Sequence, residues 1–146
     1  MSSLAAGVDA IEIDRVRKTL ARHPERFLRR VYTDLEVASC RGRVHELAVR
    51  FAAKEAVMKA LGTGVRGVGW REIEILPDRR GKPLVYLHGR AADRAKLIGM
   101  GQAEVSMTHS GLLALAFVVA PRDGPPIEYE ESRRSLIERL QRRGLL

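Results

Sequence analysis

The sequence predicts a mixed α+β domain, and three observations predict it. At 146 residues the chain has the length of one domain and can bury a sizeable core. Short apolar runs bounded by Gly, Pro and Asp recur along it, as strands do. Among them lies the stretch 46–61, rich in Ala, Leu, Met, Glu and Lys and closed by Gly62, where a helix C-cap glycine belongs.

The elements follow in order. Residues 5–13 alternate loosely as a strand, and Asp14 is placed to N-cap a helix through about Arg22, with Val16 and Leu20 on one side. Pro24 suits the first turn of a second helix carrying Phe27, Leu28 and Val31. Thr33, with Glu36 three residues on, makes a capping box that opens a third. The fourth and strongest helix is 46–61. Residues 70–76 and 83–87 read as strands joined by the turn Pro77-Asp78-Arg79-Arg80-Gly81, and 91–98 as a short helix. Strands at 104–108 and 112–119 complete the set. The last is apolar on both faces and is therefore expected to be buried. Residues 1–120 make up this domain. Beyond it, Arg122-Asp123-Gly124-Pro125-Pro126 is a linker by composition, and 130–140 is a charged amphipathic helix with Leu136, Ile137 and Leu140 at helical spacing.

Composition removes several classes of protein. A chain that is 45% hydrophobic and 30% charged is too apolar for a disordered basic tail. Its longest unbroken apolar stretch, 112–120, has nine residues, about half of the ~18 that suggest a membrane span. Residues 1–14 hold no Lys or Arg but three acids, Asp9, Glu12 and Asp14. Neither a secretory signal nor a transit peptide looks like that, so a cytoplasmic protein is expected. The single cysteine, Cys40, excludes an internal disulfide and a cysteine-based zinc cluster, and is expected to be a semi-buried hydrophobe.

The formal charge is +8, and residues 15–50 carry ten Arg/Lys against four acids, so six of those eight charges lie there. Such a surface attracts nucleic acid, anionic lipid, phosphorylated ligands or an acidic protein. No helix-turn-helix, zinc-knuckle or RNP-like pattern accompanies it, and few aromatics are available to stack on bases.

Four features could carry chemistry. Gly62-Thr63-Gly64-Val65-Arg66-Gly67 matches G-x-G-x-x-G literally, but a dinucleotide fingerprint needs a strand before the glycines, and here a helix precedes them. They read instead as the helix end, with backbone bare enough for a ligand to approach. Ala48, Ala52, Glu55 and Lys59 share one helix face, which sets a carboxylate and an ammonium one turn apart on an alanine floor. A Glu–Lys pair alone is common and adds only about 0.2–0.5 kcal/mol to a helix; the small residues beside it leave room for a ligand. Asp9 sits at the end of an apolar strand, where a turn or capping role is as natural as a functional one. His109, in Ser106-Met107-Thr108-His109-Ser110, falls where a strand meets a turn.

Together, Gly7-Val8-Asp9, Arg50-Phe51-Ala52-Ala53-Lys54-Glu55-Ala56, Lys59-Ala60-Leu61-Gly62-Thr63-Gly64, Trp70, Gly81-Lys82-Pro83 and Ser106-Met107-Thr108-His109-Ser110 resemble the holo-(acyl-carrier-protein) synthase family, the small phosphopantetheinyl transferases. The resemblance covers residues 5–120 in order and spacing and does not extend to the last 26 residues. It implies the 4'-phosphopantetheinyl transferase fold, a small antiparallel sheet packed with helices. The activity implied is transfer of the phosphopantetheine arm of coenzyme A to a serine of an acyl carrier protein, releasing adenosine 3',5'-bisphosphate. By the same resemblance, Asp9 and Glu55 match the two carboxylates that bind Mg2+, and Lys59 would stabilise the departing phosphate. His109 matches a nucleotide-contacting histidine. Arg50, Lys54, Gly62, Thr63, Gly64 and Pro83 are candidate contacts to coenzyme A. The base for the carrier serine is open between Glu55 and a metal-polarised water.

Carriers of this kind are acidic, which makes Arg15, Arg22 and Arg26 candidate docking residues, set apart from the catalytic group. The resemblance also implies a homotrimer with active sites between subunits. Met107-Thr108 departs from the usual small aliphatic and serine, leaving His109 in register, and the stretch 38–45 is short and arginine-rich. The alternative is a non-catalytic module that binds RNA or another polyanion through residues 15–50, with no use for Asp9, Glu55, Lys59 and His109.

Overall fold

A computed structural model describes residues 3–124 and 129–146. Its elements are β1 (Ser3–Glu12), α1 (Ile13–Arg22), α2 (Pro24–Val31), α3 (Asp34–Cys40), α4 (Val44–Leu61), a single turn α5 (Gly64–Gly67), β2 (Ile73–Pro77), β3 (Pro83–Leu87), α6 (Gly89–Leu97), β4 (Glu104–His109), β5 (Leu113–Arg122) and α7 (Tyr129–Arg142). The five strands form one antiparallel sheet in the order β1-β5-β4-β3-β2, so the first and last strands are neighbours. β3 and β4 touch at a single register position, Leu84 opposite Glu104. The α+β expectation holds.

Helix α4 lies across the sheet because both surfaces are shaved down. Ala52, Ala53 and Ala56 are buried, facing Ala116, Val118 and Ala120 of β5. At Gly7 on β1 the approach is closest, since a Cβ there would stand 1.9 Å from the Ala56 carbonyl oxygen. The alanine floor of the sequence reading is therefore core: Ala48 and Ala52 are fully buried and bring helix to sheet rather than clearing space for a ligand. Gly7→Ala is expected to cost about 2–3 kcal/mol, because backbone must move to admit the methyl. Urea denaturation reads this, and a wild-type midpoint would refute it.

Several expectations are corrected. Asp14 is not the N-cap of α1; Glu12 holds that position without a side-chain bond, and Asp14 sits in the first turn paired with Arg17 and Lys18. Trp70 does not begin a strand but a 3-10 turn, Trp70–Glu72, that leads into β2. Cys40 is wholly buried, and burial pushes its thiol up to about 11, so it is inert. β5 is not buried on both sides: Ala114, Ala116, Val118 and Ala120 face inward, while Leu113, Leu115 and Phe117 are exposed on the outer face. Val8, paired with Phe117, and Leu4 extend this apolar outer surface onto β1. The Thr33–Glu36 capping box and the left-handed Gly62 cap of α4 are as expected. Of the linker, Pro125 and Pro126 lie outside the described residues.

Candidate active site

Strand alternation turns Gly7, Asp9 and Ile11 toward α4. On α4 the 3.6-residue repeat aligns Phe51, Glu55 and Lys59 along the flank that meets β1. Asp9 and Glu55 thus line one cavity of about 160 Å³ with Arg15, Thr19, Phe27 and Phe51. Lys59 is tied to the same strand: its Nζ donates to Asp9 Oδ1 at 3.2 Å and to the Val8 carbonyl at 2.9 Å.

The electrostatics of this pair ask for a cation. Burial, and then the neighbouring Asp9, push the Glu55 carboxyl up to about 7, against the pull of Lys59 and Arg15. Asp9 Oδ2 is buried with no hydrogen-bond partner among the described residues. Two crowded carboxylates, one with an orphaned oxygen, suit a hard divalent ion whose other positions are filled by phosphate oxygens and water. No third His, Cys, Asp or Glu joins them among the described residues. That donor set fits Mg2+.

The nucleotide candidates lie elsewhere. Arg50 and Glu55 are five residues apart, about 140° around the helix, so Arg50 faces the opposite flank of α4. There, with Pro83 and His109, it lines a cavity of about 400 Å³ that also includes Ser39, Arg43, Glu46, Pro77, Gly81 and Met107. Arg50 is held in place by its Nε donating to the Ile75 carbonyl at 3.2 Å and Nη1 to Glu46 at 2.6 Å. The His109 ring stands 4.9 Å from that of His45. Gly62, Thr63 and Gly64, at the C-terminal end of α4, line neither cavity.

Lys54 is a correction. Its ammonium is fully buried, donating to Glu36 Oε1 at 2.7 Å, to the Trp70 carbonyl at 3.0 Å and to the Ile73 carbonyl, so it has no donor for a ligand. The docking arginines are likewise not wholly apart from the catalytic group, since Arg15 lines the carboxylate cavity itself. Arg22 ends α1, and Arg26 lies in a shallow groove of α2 with Glu25, Arg29 and Arg30. Sequence reasoning missed Phe27 and Thr19 as walls of the cavity. Phe51, one turn before Glu55 on the same face, could have been found from spacing alone.

A five-stranded antiparallel sheet crossed by α4 thus brings an Asp of its first strand to a Glu–Lys turn of the helix. The family model of the 4'-phosphopantetheinyl transferase superfamily matches residues 5–116, and the chain belongs to that family. Its relatives are narrower in kind. It is 50% identical over 123 residues to a holo-[acyl-carrier-protein] synthase of Herpetosiphon aurantiacus, covering 80% of this chain and 97% of that one. A second, from Moorella thermoacetica, is 48% identical over 116 residues, 77% and 90% of the two chains. Among solved structures, the holo-[acyl-carrier-protein] synthase of Neisseria meningitidis superposes with a TM-score of 0.73 at 35% identity, over 80% of this chain and 96% of that one. The Helicobacter pylori enzyme in complex with coenzyme A does so at 0.72 and 28% identity, over 79% and 98%. The chain is thus a holo-(acyl-carrier-protein) synthase by family.

Proposed function

We propose that this protein transfers 4'-phosphopantetheine from coenzyme A to a serine of an apo-acyl carrier protein, with Mg2+ held by Asp9 and Glu55, yielding holo-carrier and adenosine 3',5'-bisphosphate. The observation that carries the reading is the meeting of Asp9 and Glu55 in one cavity beside Arg15, with Lys59 paired to Asp9. The serine oxygen bonds to the phosphorus that bears pantetheine, and the pyrophosphate bridge breaks toward the nucleotide. When bound, the metal supplies charge neutralisation of the diphosphate. Lys59, more than half exposed, exchanges its contact with Asp9 for a phosphate oxygen and offsets charge on the leaving group. The serine proton passes to Glu55 or to a water that Glu55 positions. Arg50, Pro83 and His109 hold the nucleotide end, with the Gly62–Thr63–Gly64 backbone as a further contact.

On one chain the carboxylates and the nucleotide group occupy opposite flanks of α4. A site shared between neighbouring copies joins such halves, and the outer β1–β5 face with Leu4, Val8, Leu115 and Phe117 gives the neighbours an apolar surface to bury. The reading is a homotrimer in the cytoplasm. Light scattering should return about 49 kDa, three times the 16.3 kDa of the chain. Among the described residues no helix is long and apolar enough to cross a membrane.

Incubation with coenzyme A, magnesium and apo-carrier, followed by mass spectrometry of the carrier, tests the activity. No mass gain with several carriers, together with salt-sensitive RNA binding, would replace the enzyme with the polyanion-binding module. For docking, Arg15→Glu is expected to lower carrier turnover about tenfold at low salt, since charge reversal slows electrostatically steered encounter. Unchanged turnover at low salt would remove Arg15 from the docking surface.

A further inference from the structure

The family match ends at residue 116, and the helix α7 beyond it makes no substantial packing contact with any other described element. It is nevertheless a finished helix. Gly144 takes the left-handed conformation at φ 68°, Gly144 N donates to the Gln141 carbonyl at 3.0 Å, and Leu145 N donates to the Leu140 carbonyl at 2.9 Å. That is a Schellman stop, which brings Leu145 back toward Leu140.

One face of α7 is apolar between arginines, and the other mixes acids with the remaining arginines, Arg134 and Arg142. Arg133, Leu136, Leu140 and Arg143 follow spacings of three, four and three, so they form one row, with Ile137 beside it. The row reads basic, apolar, apolar, basic. Glu131 and Glu138 fall on the opposite side, and Glu130 sits in the first turn, where the helix dipole favours an acid. Leu145 and Leu146 are largely exposed, Leu136 is nearly half exposed, and Ile137 and Leu140 are half-buried. An isolated helix of this length is marginal in water and gains its order by docking its apolar row.

The sign of the row selects the occupant. A second copy of α7 in parallel would set arginines against arginines. A lipid surface calls for a broad apolar face with aromatic anchors, whereas this row is two leucines wide with Ile137 at its edge. An apolar groove rimmed by carboxylates on a protein meets both features in the helix-in-groove manner. We propose that α7 is a second docking arm for the acidic protein that the basic surface of residues 15–50 addresses, the acyl carrier protein; this rests on the function proposed above. Leu136, Ile137 and Leu140 enter the partner's groove, and Arg133, Arg139 and Arg143 pair with its rim.

The test uses the full chain with Arg133→Glu, Arg139→Glu and Arg143→Glu combined, and separately Leu136→Ser with Leu140→Ser. None of these residues touches the reacting groups. The charge-reversed protein should show a KM for carrier raised about tenfold at 50 mM salt, converging on wild type near 0.5 M as screening removes the rim contribution. The apolar variant should show a similar rise that salt does not erase. The kcat and the KM for coenzyme A should not move. Direct titration of apo-carrier without coenzyme A or metal, beside the mass-spectrometric transfer assay, separates the two proposals: absence of transfer by the wild type in that assay refutes the enzyme reading, whereas carrier binding unchanged in both variants in the titration refutes the docking arm. Binding to anionic phosphatidylserine vesicles that both variants abolish, with carrier affinity intact, overturns it in favour of a membrane-surface role.

Discussion

Glu55→Gln is expected to reduce transfer by at least about 10³-fold in magnesium, the scale on which loss of one preorganised charge contact acts, while the protein folds normally. Its stability carries the sharper signature. In the metal-free folded protein Glu55 titrates near 7 instead of the ordinary 4.5. Between those values the folded state binds more protons than the unfolded, so this group makes stability fall as pH rises through the window. Above pH 7 the whole penalty is present. Gln removes the charge that causes it, so the variant should melt a few degrees above wild type at pH 8 and level with it near pH 4.5. Magnesium should raise the melting temperature of wild type and leave that of the variant unchanged. Retained transfer, or an equal magnesium response, would take Glu55 out of the metal site.

Lys54→Ala is expected to cost about 3–5 kcal/mol, a large share of a domain's total stability, because it strands the Glu36 carboxylate in the core. Both side chains are fully buried, and Glu36 is further committed to the Thr33 and Ile75 backbone amides at 3.0 and 3.1 Å. Burial pushes the Lys54 ammonium pKa down, and Glu36 holds it up against that pressure. The double variant Lys54→Met with Glu36→Gln should recover most of the loss, since no uncompensated charge remains. Chemical denaturation of the three proteins tests the pair; a Lys54→Ala variant within 1 kcal/mol of wild type would show the ion pair to be incidental. Because Lys54 immediately precedes Glu55, this buried bond also fixes the rotation of α4 that presents Glu55 to Asp9.

What could be read in the sequence followed from local rules. The Thr33–Glu36 box, Pro24 in a first turn and Gly62 as a cap depend on residues within four positions of one another, and each is in place. Lys54 was misassigned because the resemblance made it a coenzyme A contact, while the partner that buries it, Glu36, is 18 residues away and invisible to local spacing. β5 was misjudged because alternation is silent when outward residues are also apolar, as Leu113, Leu115 and Phe117 are. The carboxylate pair was legible only as a motif; that Asp9 retains an unpartnered oxygen depends on tertiary packing. The same holds for the division of the candidate site across α4, since spacing put Glu55 and Arg50 on different flanks but could not show which cavities those flanks border.

The pairing of β1 with β5 also sets a timetable. Ser3 and Arg122, which face each other across that ladder, are 119 residues apart. During synthesis at about 5–20 residues per second, β1 waits on the order of ten seconds before its strand partner β5 exists. Until then Asp9 has no sheet to hold it and α4 has no complete surface to lie on. The cavity that Asp9 and Glu55 line is therefore assembled only after β5 has been synthesised. Closing so distant a contact is slow, and through that interval β1 is an exposed apolar strand that a chaperone can recognise.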